Sequence, residues 1–123
     1  MMQYPQVLPA TTMIGSKVVN REGEPLGTLK ELVLDLEEGQ IIYAVLSFGG
    51  FMGVGDKLFA IPWEAFLINP KDRTFILDVE KEVLKEAPGF DKDRWPDSAQ
   101  YEAGWLLDIY EYYGYSPYWV PGK

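Results

Sequence analysis

Carboxylates are strewn along this chain at Asp35, Glu37, Glu38, Asp56, Glu64, Asp72 and Asp78. Two such groups held a fixed distance apart could move protons to and from a substrate. The run "DLEEG", residues 35–39, could offer oxygens to a divalent cation. Neither pattern is complete. No spacing pairs the carboxylates, and "DLEEG" lacks the alternating ligands of a calcium loop. Histidine is absent, which removes the side chain best suited to proton transfer near neutral pH and the commonest metal ligand. Cysteine is absent too, and with it thiolate nucleophiles, thiolate metal sites and disulfides. Ser47, in "VLSFGG", has no G-x-S-x-G elbow and reads as a strand hydroxyl. The glycine-rich "GGFMGVG" has neither G-x-G-x-x-G spacing nor a following Lys-Ser pair, so it reads as a hairpin loop with Phe51 and Met52 at its tip. The expectation is a non-enzyme with no catalytic residue, no cofactor and no metal.

What remains is aromatic. Trp63, Trp105, Tyr113, Tyr118 and Trp119, with Phe51 and Met52, form the candidate interaction surface. Such rings could stack on single-stranded bases, each worth about 1–3 kcal/mol. The phosphates would find little to hold, because the net charge is -8 and Lys92, Arg94 and Lys123 are outnumbered by acids. Nucleic acid is therefore not the expected partner. A ring such as Trp63 or Trp119 can instead fill a barrel mouth, where its truncation costs roughly 3–5 kcal/mol, or anchor an interface. Docking within the chain and docking across a dimer both stay open.

These side chains need elements to hold them. Residues 1–13, interrupted by Pro5 and Pro9, read as an irregular arm. "SKVVN", the turn "REGEP" and "LGTLKELVLDL" read as strand, turn and strand, with Gly27 at a bulge or a close backbone approach. Leu32, Leu34 and Leu36 alternate with Glu31, Val33 and Asp35. In "QIIYAVLSF", Ile42, Ala44, Leu46 and Phe48 share one side and Ile41, Tyr43, Val45 and Ser47 the other. Both sides are largely apolar, so the strand is buried on both faces or covered by another element or subunit. "KLFAI" and "RTFILDV" are further strands. "PWEAF" makes a short helical turn behind Pro62, and a short helix is predicted near 80–86.

At Pro88 the composition shifts. Residues 88–123 hold ten of the eighteen aromatics. "DSAQYEAGWLLDIYEYYG" predicts a helix with Asp97 or Ser98 as N-cap and Gly114 as C-cap. Tyr101, Trp105 and Ile109 form its apolar stripe, widened by Leu106 and Tyr113. The predicted organisation is an arm (1–13), a β-barrel (14–87) and an aromatic extension (88–123) docking on the barrel or on a second subunit. The fold expected is all-β: a small, closed, highly curved antiparallel barrel of about six strands, since rolling closed removes exposed edges.

The opening residues show no basic and apolar leader pattern, and no stretch approaches the roughly 20 apolar residues that span a bilayer. A cytoplasmic protein without membrane insertion is expected.

The ordered series G-x-x-V, G-E-x-L-G, D-L-x-x-G-x-I-x-Y-A-V-L-S-x-G-G and A-I-P-W runs through "GSKVVNREGEPLGTLKELVLDLEEGQIIYAVLSFGGFMGVGDKLFAIPWEAF" and continues into "FILDVEKEVLKEAPGF". It resembles the PRC-barrel domain family over about residues 14–90. "APGFDKDRWPD" and "YYGYSPYW" look like the C-terminal extension of its stand-alone bacterial members. The resemblance implies a small curved barrel of about six strands. Related domains occur in the photosynthetic reaction centre H subunit and in a ribosome maturation factor, and their shared theme is protein–protein contact. Neither specific role is expected to carry over, and no catalytic residue is implied.

The leading expectation is a non-catalytic interaction or scaffold module, homodimeric, with a protein partner. One alternative is a small-ligand-binding protein with a pocket between barrel and tail, lined by Trp63, tail aromatics and a convergent charged group. Another is an adapter in a ribonucleoprotein assembly.

Overall fold

The structure is a computed structural model and describes residues 7–48, 57–69, 72, 74–87, 89–91 and 103–119. One helical turn, α1 (Ala10–Met13), precedes β1 (Lys17–Val19), β2 (Pro25–Asp35), β3 (Gln40–Phe48) and β4 (Lys57–Pro62). A 3-10 turn, Trp63–Ala65, leads into β5 (Phe66–Asn69) and β6 (Thr74–Leu77). Then come α2 (Lys81–Lys85), the two-residue β7 (Phe90–Asp91) and α3 (Ala103–Tyr113). All the strands join one sheet in the order β5-β6-β1-β2-β3-β4-β7.

The closed antiparallel barrel expected from the sequence does not form. The sheet is mixed, because β1 runs parallel to β6 with Val18 opposite Phe75. It is also open: a curled half-barrel of six principal strands whose edges lie 8 Å apart. Neighbouring strands must approach to about 4.8 Å to share a ladder. Two features keep β4 from β5. Pro62 has no N–H to offer a further strand, and the start of β4 is already paired, Lys57 with Asp91 and Leu58 with Phe90. Strand β5 was hidden in the sequence, because "FLIN" is a short apolar run with no period of its own.

Three irregularities give the sheet its curl. Val18 faces Gly27 and Val19 faces Pro25, which leaves Leu26 as an extra residue on β2. Lys30 is a second extra residue, between the Leu29–Leu46 and Glu31–Val45 pairs. Ile42 is the third, on β3, between residues that face Val33 and Leu34. Each bulge bends its strand and strengthens the local twist. At Gly27 the strands come so close that a Cβ would collide with the Ser47 carbonyl oxygen, and φ is 147°. Only glycine fits there.

The concave side holds the main core: Val18, Leu26, Leu29, Leu46, Phe59, Ile61, Phe75 and Leu77 from the strands. Met13 of α1 and Leu84 of α2 pack into the same core. The bulge at Lys30 resets the alternation along β2. Leu32 packs on this core and Val33 on the opposite side, while Leu34 and Leu36 are 56% and 87% exposed. The leucine row read from the sequence therefore does not share one buried face.

The turn from β1 to β2 is organised by Asn20, a buried polar side chain that sequence reasoning passed over. Its Oδ1 accepts from the backbone N–H groups of Glu22 (3.0 Å) and Glu24 (2.9 Å), and its Nδ2 donates to Glu24 Oε1 (2.8 Å). Next to it, Arg21 donates from Nε to Asp78 Oδ1 at 2.7 Å, tying the turn to the end of β6. That bond holds the Asp78 carboxyl below its ordinary range.

Candidate interaction site

Strand β3 carries apolar groups on both faces, and the structure shows what covers the second one. Ala44 and Leu46 face the main core beside their β4 partners Ile61 and Phe59. Tyr43 and Val45 face outward, with Leu58 and Ala60, into a second core completed by Leu106, Ile109 and Tyr110 of α3. The covering element belongs to the same chain. Ile42, expected beside Ala44, sits instead in this outer core, because the bulge turns it to the same side as Tyr43.

The bulge also sets the chemistry of the contact. Tyr110 is buried, and its hydroxyl donates to the Ile42 carbonyl oxygen at 2.6 Å. Burial pushes the Tyr110 hydroxyl pKa up, with Glu64 adding to the effect. At the end of α3, Tyr115 N–H donates to Tyr110 O (2.9 Å) and Gly114 N–H to Glu111 O (3.1 Å), with Gly114 at φ 84°. This is the Schellman stop expected of Gly114. It turns the chain so that residues 115–119 return along the sheet. The same end is held to α2 by the Tyr112 hydroxyl, which donates to Val83 O at 2.8 Å.

The candidate residues divide by how much ring they still show. Trp105 is half-buried, edge-on to Tyr43 with centroids 5.7 Å apart. Trp119 is half-buried, edge-on to Tyr110 at 4.9 Å. Tyr113 touches both cores, and its buried hydroxyl has no hydrogen-bond partner among the described residues. Trp63 is half-buried against Phe66 and Phe75. Tyr118 is exposed, and its hydroxyl donates to Asp35 Oδ2 at 2.6 Å. That bond, with backbone N–H groups of Glu38 and Glu37, lowers the Asp35 pKa. Partial desolvation and the Asp35 contact push the Tyr118 hydroxyl up to about 12. Phe51, Met52, Tyr101 and the expected N-cap at Asp97 or Ser98 lie outside the described residues.

Trp63 and Tyr118 meet at a cleft of about 180 Å³, lined also by Gln40, Ile41, Glu64 and Tyr110. Sequence reasoning placed Trp63 and a tail aromatic there with one charged group. It missed Tyr110, which lies four residues after Leu106 and so on the same helix face, a legible signal. It also missed Gln40 and Ile41, which the hairpin brings in. Small-molecule pockets usually run to about 300–1,000 Å³, so this cleft admits a head group rather than a metabolite. Among the described residues no group of three or more Asp or Glu could hold a metal ion. Nor is any described helix long and apolar enough to cross a membrane.

A curled half-barrel with a filled concave side, an aromatic helix clamped to its back and ring faces left at one end has the form of a small β-scaffold module. The chain belongs to the PRC-barrel domain family, whose profile matches residues 5–84. No match was found among curated proteins. PRC-barrel domains are non-catalytic adaptor modules, a fold generally used for protein–protein interaction and scaffolding.

Proposed function

We propose that this chain is an adaptor that holds a protein partner at the tip of the β2–β3 hairpin and the tail segment beside it. One observation carries the reading: Leu34 and Leu36 are 56% and 87% exposed at that tip. Leu34 stands opposite Ile41 across the strand pair, so its side chain adjoins the cleft wall. Tyr118 reaches the same end of the hairpin through Asp35. An apolar patch rimmed by carboxylates and a tyrosine is the composition of a contact surface. The test is a photo-cross-linking residue at position 36 in the full chain, expressed in its native cell. A defined protein adduct that vanishes in Leu34→Glu supports the reading. No adduct, or the same adduct from a probe at Lys85 on α2, removes it.

A homodimer is the second reading, favoured by β5. Its outer edge pairs with no described strand, and Leu67 and Ile68 are exposed on it. Edge strands of this kind pair with copies of themselves. Light scattering at high micromolar concentration decides: twice the chain mass, reduced to one by Leu67→Lys, supports it, and a strict monomer ends it.

A further inference from the structure

We propose that the cleft between the 3-10 turn and the tail is a receptor for one arginine side chain of the partner protein. This deepens the adaptor reading and rests on it. The walls supply the argument. Trp63 and Tyr118 are aromatic and incompletely buried, and Glu64, an exposed residue, adds a carboxylate to the same lining. Glu64 takes part in no ion pair among the described residues. A guanidinium is planar, is weakly hydrated, lies favourably on aromatic faces, and offers a fork of N–H donors to a carboxylate. The volume, about 180 Å³, suits such a head group. Gln40 adds a side-chain carbonyl oxygen that accepts from the same fork. The surroundings are complementary in sign: Asp35, Glu37 and Glu38 form the adjacent turn, and the whole chain carries -8. Such a field steers a basic segment toward the hairpin tip and repels acidic ones. Arginine is preferred to lysine here because ring faces and one carboxylate reward a flat, forked cation more than a compact, strongly hydrated one.

The test uses the full chain labelled with ¹⁵N and two probes, acetyl-Gly-Arg-Gly-amide and its citrulline counterpart, which is nearly isosteric but neutral. The indole N–H of Trp63, assigned by its loss in Trp63→Phe, is followed during titration. The expected result is a saturable shift with the arginine peptide and none with citrulline. Glu64→Gln should weaken the arginine response about two- to fivefold, and Gln40→Glu should strengthen it by a similar factor. Both positions line an open cleft, so both variants should fold, and an unchanged spectrum elsewhere verifies it. Equal responses to the two peptides, no response at Trp63, or indifference to Glu64→Gln overturns the proposal. The adaptor reading is judged separately, by the position-36 adduct, which does not depend on the peptide titration.

Discussion

The two sides of strands β3 and β4 bury comparable runs of apolar side chains, yet they are built from different materials. The concave side is hydrocarbon: Leu26, Leu29, Leu46, Phe59, Ile61, Phe75 and Leu77, with no hydroxyl among its fully buried members in the described residues. The convex side is tyrosine-rich, with Tyr43 and Tyr110 buried and Tyr113 and Tyr115 at the seam between the two cores. The concave core lies within residues 5–84, the stretch that matches the family. The helix that closes the convex core lies beyond it. The inner core thus specifies the fold through shape and volume alone. The outer one is an attachment whose strength depends on where each hydroxyl finds an acceptor and on whether it keeps its proton.

The sharpest way to break this contrast is to damage each side in its own currency. Phe75→Ala should cost about 3–5 kcal/mol, read from urea unfolding, because it opens a cavity in a core that cannot collapse around it. A loss below 1 kcal/mol would mean that the inner side is no better packed than the outer. Tyr110→Phe comes next, at about 1–3 kcal/mol, because the ring stays but the Ile42 carbonyl loses its donor. Tyr113→Phe should be neutral or stabilising by up to about 1 kcal/mol, since it deletes a buried hydroxyl with no partner among the described residues. If the two Phe variants ranked the other way, hydrogen bonding would not be what holds the helix.

Titration should sharpen the contrast further, with smaller effects. The raised hydroxyl pKa values of Tyr110 and Tyr118 mean that their contribution is intact below the ordinary tyrosine value of 10.0. It drains as pH rises past that value, Tyr118 yielding near about 12. Near-ultraviolet circular dichroism should therefore show the tail loosening at alkaline pH before the sheet signal changes. On the acid side the sign reverses. Asp35 and Asp78 have lowered pKa values, so their contribution is full above the ordinary value of 3.8 and is lost as pH falls below it. Tyr118→Phe should flatten the acid limb of a melting-temperature profile below about pH 4, while leaving the Asp78 part in place.

Much of the fold was legible because its signals are local. A strand-length run apolar on both sides marked β3, the short apolar run before Pro62 marked β4, Pro62 and Gly114 marked the ends of elements, and the apolar stripe of α3 was visible at Leu106 and Ile109. What escaped depends on register. The bulges at Lys30 and Ile42 leave no mark in side-chain type, yet the first resets which residues of β2 face the core and the second turns Ile42 outward, where its carbonyl accepts from Tyr110. The parallel pairing of β1 with β6 joins residues more than fifty positions apart, and no local pattern encodes it. The open edge was misjudged because closure follows from exposed edges only when nothing else occupies them, and Phe90–Asp91 does so for β4. At the candidate site the aromatics could be named, but which rings stay outward is fixed by the tail's return after Gly114.

The 8 Å parting between the rims of the sheet has a further effect on how this molecule survives crowding. A rim is an invitation to foreign strands, and β5 answers it with brevity: four residues offer a stranger only about two bonds on the outward side. Lengthening that segment by a few apolar residues would convert a tolerable fringe into a seed for insoluble deposits, with no change to either hydrophobic interior.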